Sequence, residues 1–289
     1  MKIIRTISEI KKVLQLNKNK TVGFVPTMGY LHEGHLSLVE RARKENDIVV
    51  MSIFVNPLQF GPNEDFERYP RDEDRDASLA EAHGVDFLFI PTIDTMYPQK
   101  MGIEMKVLTG TDVLCGRSRP GHFDGVATVL TKLFHIIEPN RAYFGLKDAQ
   151  QFAVVNTLIS HFNFPIQLVG LPTVREDDGL AKSSRNVYLS DEERKEAKTL
   201  YESLKLGQQL VAQGVKDVEE IVLRVRQYIT ENTSAKIDYV EMLSYPELID
   251  VNFIDQQVIL AVAIYYKNAR LIDNIILSHD GRQVDIIIK

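Results

Sequence analysis

The stretch from Val22 to Ala42 limits the possible folds more than any other part of this chain. Val22-Gly23-Phe24-Val25 is an apolar run of strand length, and Leu36, Leu38, Val39 and Ala42 then recur at the spacing of one helix face. Between them lies Pro26-Thr27-Met28-Gly29-Tyr30-Leu31-His32-Glu33-Gly34-His35, a glycine-containing turn that carries two histidines. A strand passing into a helix through such a turn is the repeating unit of an open α/β sheet. Ligands of that architecture collect at the carboxyl ends of the strands. The helix start adds unpaired N–H groups and a partial positive charge, both suited to phosphate.

The unit recurs. Further strands are expected at 48–55, 87–90, 142–144 and 167–171, several of them continuous apolar runs, as in strands covered on both faces. Helical spacing links them, most clearly through Val126, Val129, Leu130, Leu133, Phe134 and Ile137 and again from Ala149 to Ile159. The pattern implies βαβ units and a parallel sheet. After residue 174 the character changes. One long charged helix is expected at 191–212, with Ser190 as N-cap and Glu193 completing a capping box, and a second at 218–230. Strands at 237–243, 258–264 and 271–277 then follow without long helices between them, which suggests a small, largely antiparallel α+β domain. The boundary is placed at 174/175.

Composition removes several function classes. A net charge of −6 argues against general nucleic-acid binding, which needs a basic face. Cys115 is the only cysteine, so no intramolecular disulfide or cysteine-based metal cluster is available. The start of the chain lacks the apolar block of a signal peptide, and no apolar run is long enough for a membrane-spanning helix. A cytoplasmic enzyme without membrane attachment is the expectation.

Three loops carry the chemistry. His32 and His35 are spaced to share one side of a helical turn, but His32-Glu33-Gly34-His35 is one residue short of the zinc-protease pattern and has no evident third ligand. Neither G-x-x-x-x-G-K-[ST] nor G-x-G-x-x-G occurs, so a nucleotide would be held by the histidine-bearing turn of the H-x-G-H type. Gly145-Leu146-Lys147-Asp148 joins another strand to a helix and puts a cation at that junction, with Asp148 as a helix cap. Lys182-Ser183-Ser184-Arg185 offers two cations and two hydroxyls, groups that suit a triphosphate and its leaving pyrophosphate. Gln59, in a loop after a strand, and the basic lead-in 117–123 complete the set.

Taken together, these segments resemble the pantothenate synthetases, or pantoate–β-alanine ligases. The match rests on 26–35, 55–61, 119–124, 145–151 and 175–186, in that family's order and spacing. The resemblance implies a Rossmann-like parallel-sheet domain of the nucleotidyltransferase superfamily, a smaller C-terminal α+β lid domain and a homodimer. It implies that pantoate attacks the α-phosphorus of ATP to give a pantoyl adenylate, which β-alanine then aminolyses, with Mg2+ on the triphosphate. ATP binding would fall on Met28-Gly29-Tyr30-Leu31-His32-Glu33-Gly34-His35, on Gly145-Leu146-Lys147-Asp148, and on Val174 with Lys182-Ser183-Ser184-Arg185. Catalysis would fall on His35, His32, Lys147 and Arg185, and pantoate on Gln59 and Gln151. Gln59 would also serve β-alanine, and Asp76 would approach the metal. The chain departs from the family at Leu146, Lys182 and Cys115, where a charged residue, methionine and an acidic residue are usual. Two rivals remain: a nucleotidyltransferase acting on a phosphorylated acceptor, and a nucleotide-binding regulator without turnover.

Overall fold

The computed structural model describes residues 1–62, 64–285 and 287–288; Asn63, Ile286 and Lys289, the last two in the C-terminal tail, lie outside the described residues. The strands are β1 (Lys2–Ile4), β2 (Val22–Thr27), β3 (Ile48–Ile53), β4 (Phe87–Phe89), β5 (Arg141–Gly145), β6 (Gln167–Leu171), β7 (Lys236–Ser244), β8 (Val258–Tyr265), β9 (Arg270–Leu277) and β10 (Ile287–Ile288). The helices are α1 (Ile7–Gln15), α2 (Glu33–Glu45), α3 (Glu73–Ala82), α4 (Ile93–Met96), α5 (Leu114–Ser118), α6 (His122–Ile137), α7 (Ala149–His161), α8 (Asp191–Glu196), α9 (Thr199–Ala212) and α10 (Val218–Asn232).

Strands β1 to β6 form one parallel sheet in the order β1-β4-β3-β2-β5-β6, and β10 adds an antiparallel edge next to β6. From β2 the chain winds outward through β3 and β4. It then crosses back to β5 on the other side of β2. The reversal places the ligand crevice of an open sheet at the carboxyl ends of β2 and β5. Those two ends carry the histidine turn and the Lys147 turn.

Both faces of the sheet are buried. Val25, Val49, Met51 and Leu88 pack under α2 and α3, whereas Phe24, Val50, Ala142 and Leu168 face the cluster built on α6 and α7. Double burial explains why these strands read as unbroken apolar runs. The second sheet, β7-β8-β9, is antiparallel. One face, with Val240, Leu260 and Val262, packs with Leu204 of α9 and Ile221 and Val225 of α10. The other, with Tyr239, Ile259, Ala261 and Ile276, joins the core of the parallel-sheet unit. The run at 258–266, the longest apolar stretch in the sequence, is therefore mostly strand β8, covered on both faces.

The helix expected at 191–212 is divided. The Ser190–Glu193 capping box forms, but the chain turns at Ala197-Lys198 between α8 and α9. Ala197 is fully buried there, and both residues keep right-handed helical dihedrals, so the break leaves no composition signal. β1, α1, α3, α4, α5 and β10 add to the expected elements; β1 is three residues long, and α3 has only Asp76 and Ala80 buried.

An ion pair fastens the loop after β6 to the second sheet. Arg175 donates to both oxygens of Asp273 at 2.6 and 3.1 Å and lies 3.7 Å over the Tyr201 ring. Asp273 is buried, so truncating it strands a cation in a dry position. Asp273→Ala is expected to lower unfolding stability by about 3 kcal/mol, measured by urea denaturation.

Candidate active site

The histidine turn is held by a buried carboxylate. Gly29 and Tyr30 both adopt positive φ, 87° and 50°. Such a backbone needs an external hold at a residue with a Cβ. Asp76 on α3 supplies it, its two oxygens accepting the N–H groups of Tyr30 at 2.6 Å and Leu31 at 2.7 Å. Burial lifts the Asp76 carboxyl above its usual range, against those two bonds. In the fold the Asp76 oxygens, which the resemblance placed near a metal, hold backbone N–H groups. Among the described residues no group of three or more His, Cys, Asp or Glu could hold a metal ion.

From this turn α2 begins with a capping box made of imidazoles. His32 Nδ1 accepts the Gly34 N–H at 3.1 Å, and His35 Nδ1 accepts the His32 N–H at 3.3 Å. An accepting Nδ1 leaves the proton of a neutral ring on Nε2. Burial pushes His32 down to about 4, aided by Lys147, Lys182 and Arg75. Burial, then the neighbouring His32 ring, holds His35 well below the usual histidine range. The rings lie 4.0 Å apart, so charging one opposes charging the other. At neutral pH the pair presents two uncharged Nε2–H donors, each fixed by backbone on its other nitrogen.

Gln59 ends a 3-10 turn at Pro57–Gln59, entered through Asn56 after β3. Asn56 Nδ2 donates to Gln59 Oε1 and to Gly125 O, both at 3.1 Å. The Gln59 amide is thereby turned so that its NH2, 3.2 Å from the Met28 sulfur, is the end left to donate. Gly125 permits this approach, since a Cβ there would strike the backbone of Leu58 and Gln59. His122 Nδ1–H donates to Gln59 O at 2.8 Å, and its Nε2 accepts from Arg119 at 3.1 Å. Burial, with Arg119 second, pushes His122 down to about 4. Asn56 was missed by sequence reasoning, although an Asn-Pro step after a strand is a turn signal.

The Lys147 turn is braced from the second sheet. Asn274 of β9 donates to the carbonyls of Leu146 at 3.1 Å and Lys147 at 2.7 Å. Asp148 does not act as the expected cap, for it makes no side-chain bond to the start of α7. In the third loop, Lys182 pairs with Glu176 at 2.8 Å and Glu33 at 3.3 Å, Ser184 meets the Tyr69 hydroxyl at 3.1 Å, and Arg185 forks onto Asp65 at 2.9 and 3.0 Å. Lys147 has no carboxylate partner among the described residues.

These groups share one cleft of about 220 Å3, lined by His32, His35, Gln59, Lys147, Gln151 and Arg185. Met28, Gly34, Gly145, Asp148, Val174, Lys182, Ser183 and Ser184 also face it. Gly29, Tyr30, Leu31, Glu33 and Leu146 do not line it; Leu31 and Leu146 are core residues. Val129, Leu130 and Phe54 supply an apolar wall. Past Arg119, Lys147 and Arg185 the cleft opens into a recess of about 520 Å3 against the second sheet. Neutral donors and cations facing an apolar wall suit a substrate with an anionic end and a compact aliphatic body.

Residues 2–276 match the family model described as pantoate-beta-alanine ligase. The chain is 60% identical over 280 residues to the pantothenate synthetase of Geobacillus thermodenitrificans, covering 96% of this chain and 97% of the relative. It is equally identical to that of Bacillus subtilis, over 96% of this chain and 98% of the relative. The crystal structure of pantothenate synthetase from Thermus thermophilus superposes with a TM-score of 0.91 at 46% identity, covering 95% of this chain and 98% of that one. A pantoate-beta-alanine ligase from Francisella tularensis, complexed with beta-gamma ATP and beta-alanine, gives 0.77 at 34% identity over 95% and 97%.

The neutral histidines are a liability in acid. His32 titrates about 4 in the fold and near 6.5 when unfolded, so between those values the unfolded chain binds more protons. Stability is expected to be full above pH 6.5 and to fall as pH descends toward 4. Unfolding measured across that window should show the loss, and His32→Asn, which keeps a capping acceptor, should make it shallower.

Proposed function

The chain belongs to the pantoate-beta-alanine ligase family, and from that premise we propose that it uses ATP to condense pantoate with β-alanine, through a pantoyl adenylate. The observation that carries this is the convergence of His35, Lys147 and Arg185 with Gln59 and Gln151 on a single cleft at the β2/β5 crossover. ATP use is further supported by the ligands of the Francisella tularensis relative.

In the first step a carboxylate oxygen of pantoate forms a bond to the α-phosphorus, and the bond from that phosphorus to the bridging oxygen breaks, releasing pyrophosphate. Gln59, with its NH2 turned inward, and Gln151 orient the carboxylate by hydrogen bonds. Being neutral, they leave its charge available for attack. Val129, Leu130 and Phe54 suit the two geminal methyls of pantoate. Charge moves from the carboxylate to the phosphoryl oxygens and the leaving group. Donors already in place meet it without reorganisation: Nε2–H of His32 and His35, and the ammonium of Lys147. In the second step the β-alanine amine attacks the acyl carbon, a C–N bond forms, the C–O bond to the phosphate breaks and AMP leaves, and the proton lost by the amine passes to the departing phosphate or to water. Confining both reactants also replaces a bimolecular encounter with an oriented one.

Mg2+ would enter with the nucleotide. The chain offers no cage of its own among the described residues, which agrees with a cation that binds largely through substrate phosphates and one or two carboxylates. When present it would neutralise phosphate charge, and Asp148 is the cleft carboxylate without an ion-pair partner among the described residues. We assign most of the ATP and pantoate binding to 1–174, and to 175–289 a smaller domain that covers the cleft and adds Lys182, Ser183, Ser184 and Arg185 to it. A homodimer and a cytoplasmic setting belong to the same proposal on family grounds.

Supplying ATP, pantoate and β-alanine should yield AMP and pyrophosphate; ADP and phosphate would reject adenylation. Pyrophosphate exchange into ATP should need pantoate; dependence on a phosphate ester instead would favour a nucleotidyltransferase. Replacing His35 by Ala removes a preset donor and should lower kcat by roughly a hundredfold, about 3 kcal/mol, in a steady-state assay.

A further inference from the structure

Three cleft groups suited to binding phosphate are already bound to the protein's own side chains. Lys182 is paired with Glu176 and Glu33, Ser184 with Tyr69, and Arg185 with Asp65. The Arg185 contact is the most specific. Nε and Nη2 of the guanidinium each donate to one oxygen of Asp65, the parallel two-bond geometry that arginine offers to a phosphate. Burial would lift the Asp65 carboxyl, but the bonds from Arg185 outweigh it and hold that carboxyl below its usual range. The residue before it behaves likewise, Glu64 being paired with Arg119. Two successive carboxylates on one loop thus occupy two arginines of the cleft. The same loop is pinned by the Tyr69 hydroxyl on Ser184 and by the Tyr69 ring 5.6 Å from the Arg185 guanidinium.

We propose that Asp65 is an internal anion that occupies the phosphate-binding face of Arg185 and is exchanged for a phosphate oxygen when the nucleotide binds. The inference rests on the proposal that a triphosphate is the substrate. Every ATP that engages Arg185 must displace a carboxylate, so apparent affinity is reduced by the fraction of enzyme in which the pair is closed. The return of Asp65 to Arg185 after the first step favours departure of pyrophosphate, the product that would otherwise hold a pocket rich in cations. Asp65 is on this account a specificity-setting residue: it weakens simple anions that bind through Arg185 alone more than a nucleotide that binds at several points.

The test is ATP binding by calorimetry on the whole chain, wild type against Asp65→Asn. Competition predicts that the variant binds ATP roughly fivefold or more tightly and is inhibited by pyrophosphate at correspondingly lower concentration. Unchanged or weaker binding of either overturns the proposal, since Asp65 would then only steady Arg185. Should Asp65→Asn fail to fold, carboxyl-carbon NMR of aspartate-labelled wild type decides the matter. The Asp65 pKa must rise toward the ordinary carboxylate range on ATP binding; if it stays depressed, the pair is never opened. Wild-type turnover is measured in parallel. If wild type binds ATP yet forms no AMP from pantoate and β-alanine, the reaction proposal fails while the exchange at Arg185 is still judged by its own affinities.

Discussion

The site depends on one carboxylate that never needs to touch a substrate. Asp76 grips the N–H groups of Tyr30 and Leu31 and so fixes two consecutive left-handed residues. Without that grip the chain leaving β2 would relax toward ordinary dihedrals, and α2 would start in another direction. Everything at the helix start follows from it. The Gly34 N–H finds His32, the His32 N–H finds His35, and both Nε2 atoms are delivered to the cleft in a defined tautomer. The buried carboxyl is tolerable because two backbone N–H groups satisfy it.

A second theme is that burial keeps the imidazoles neutral while positive charge is held in reserve. Three imidazoles, His32, His35 and His122, are each uncharged at neutral pH. Cations are abundant, yet Arg119, Lys182 and Arg185 are matched to carboxylates, and Lys147 alone among these four has none within the described residues. A cleft built this way avoids the repulsion of clustered cations before an anionic ligand arrives. Placement comes from neighbours rather than from the loops themselves: Asn56 turns Gln59, His122 links Arg119 to the Gln59 carbonyl, and Asn274 holds the Lys147 turn.

Much of this was legible in the sequence, for reasons that can be named. Unbroken apolar runs marked the doubly covered strands, and β6 was placed at its observed bounds. The parallel sheet followed from strand–helix alternation, and the histidine, Lys147 and Arg185 loops were expected to meet because strand ends in such a sheet face one crevice. What stayed hidden was long-range pairing. Asp65 and Arg185 are 120 residues apart, and Asp76 is 45 from Leu31, so no local pattern announces either contact. Nothing in the sequence therefore signalled that Asp76 holds the histidine turn. The turn at Ala197-Lys198 was likewise invisible, since both residues suit a continuous helix and only packing decides.

The brace from Asn274 has a further implication for how the molecule is made. β9 leaves the ribosome long after the histidine turn and the Lys147 turn have emerged. Until β9 arrives, the carbonyls of Leu146 and Lys147 lack their partner, and the open recess has no opposite wall. A nascent chain therefore holds an incomplete cleft. The cleft takes its final shape only once β9 has been made and packed against it.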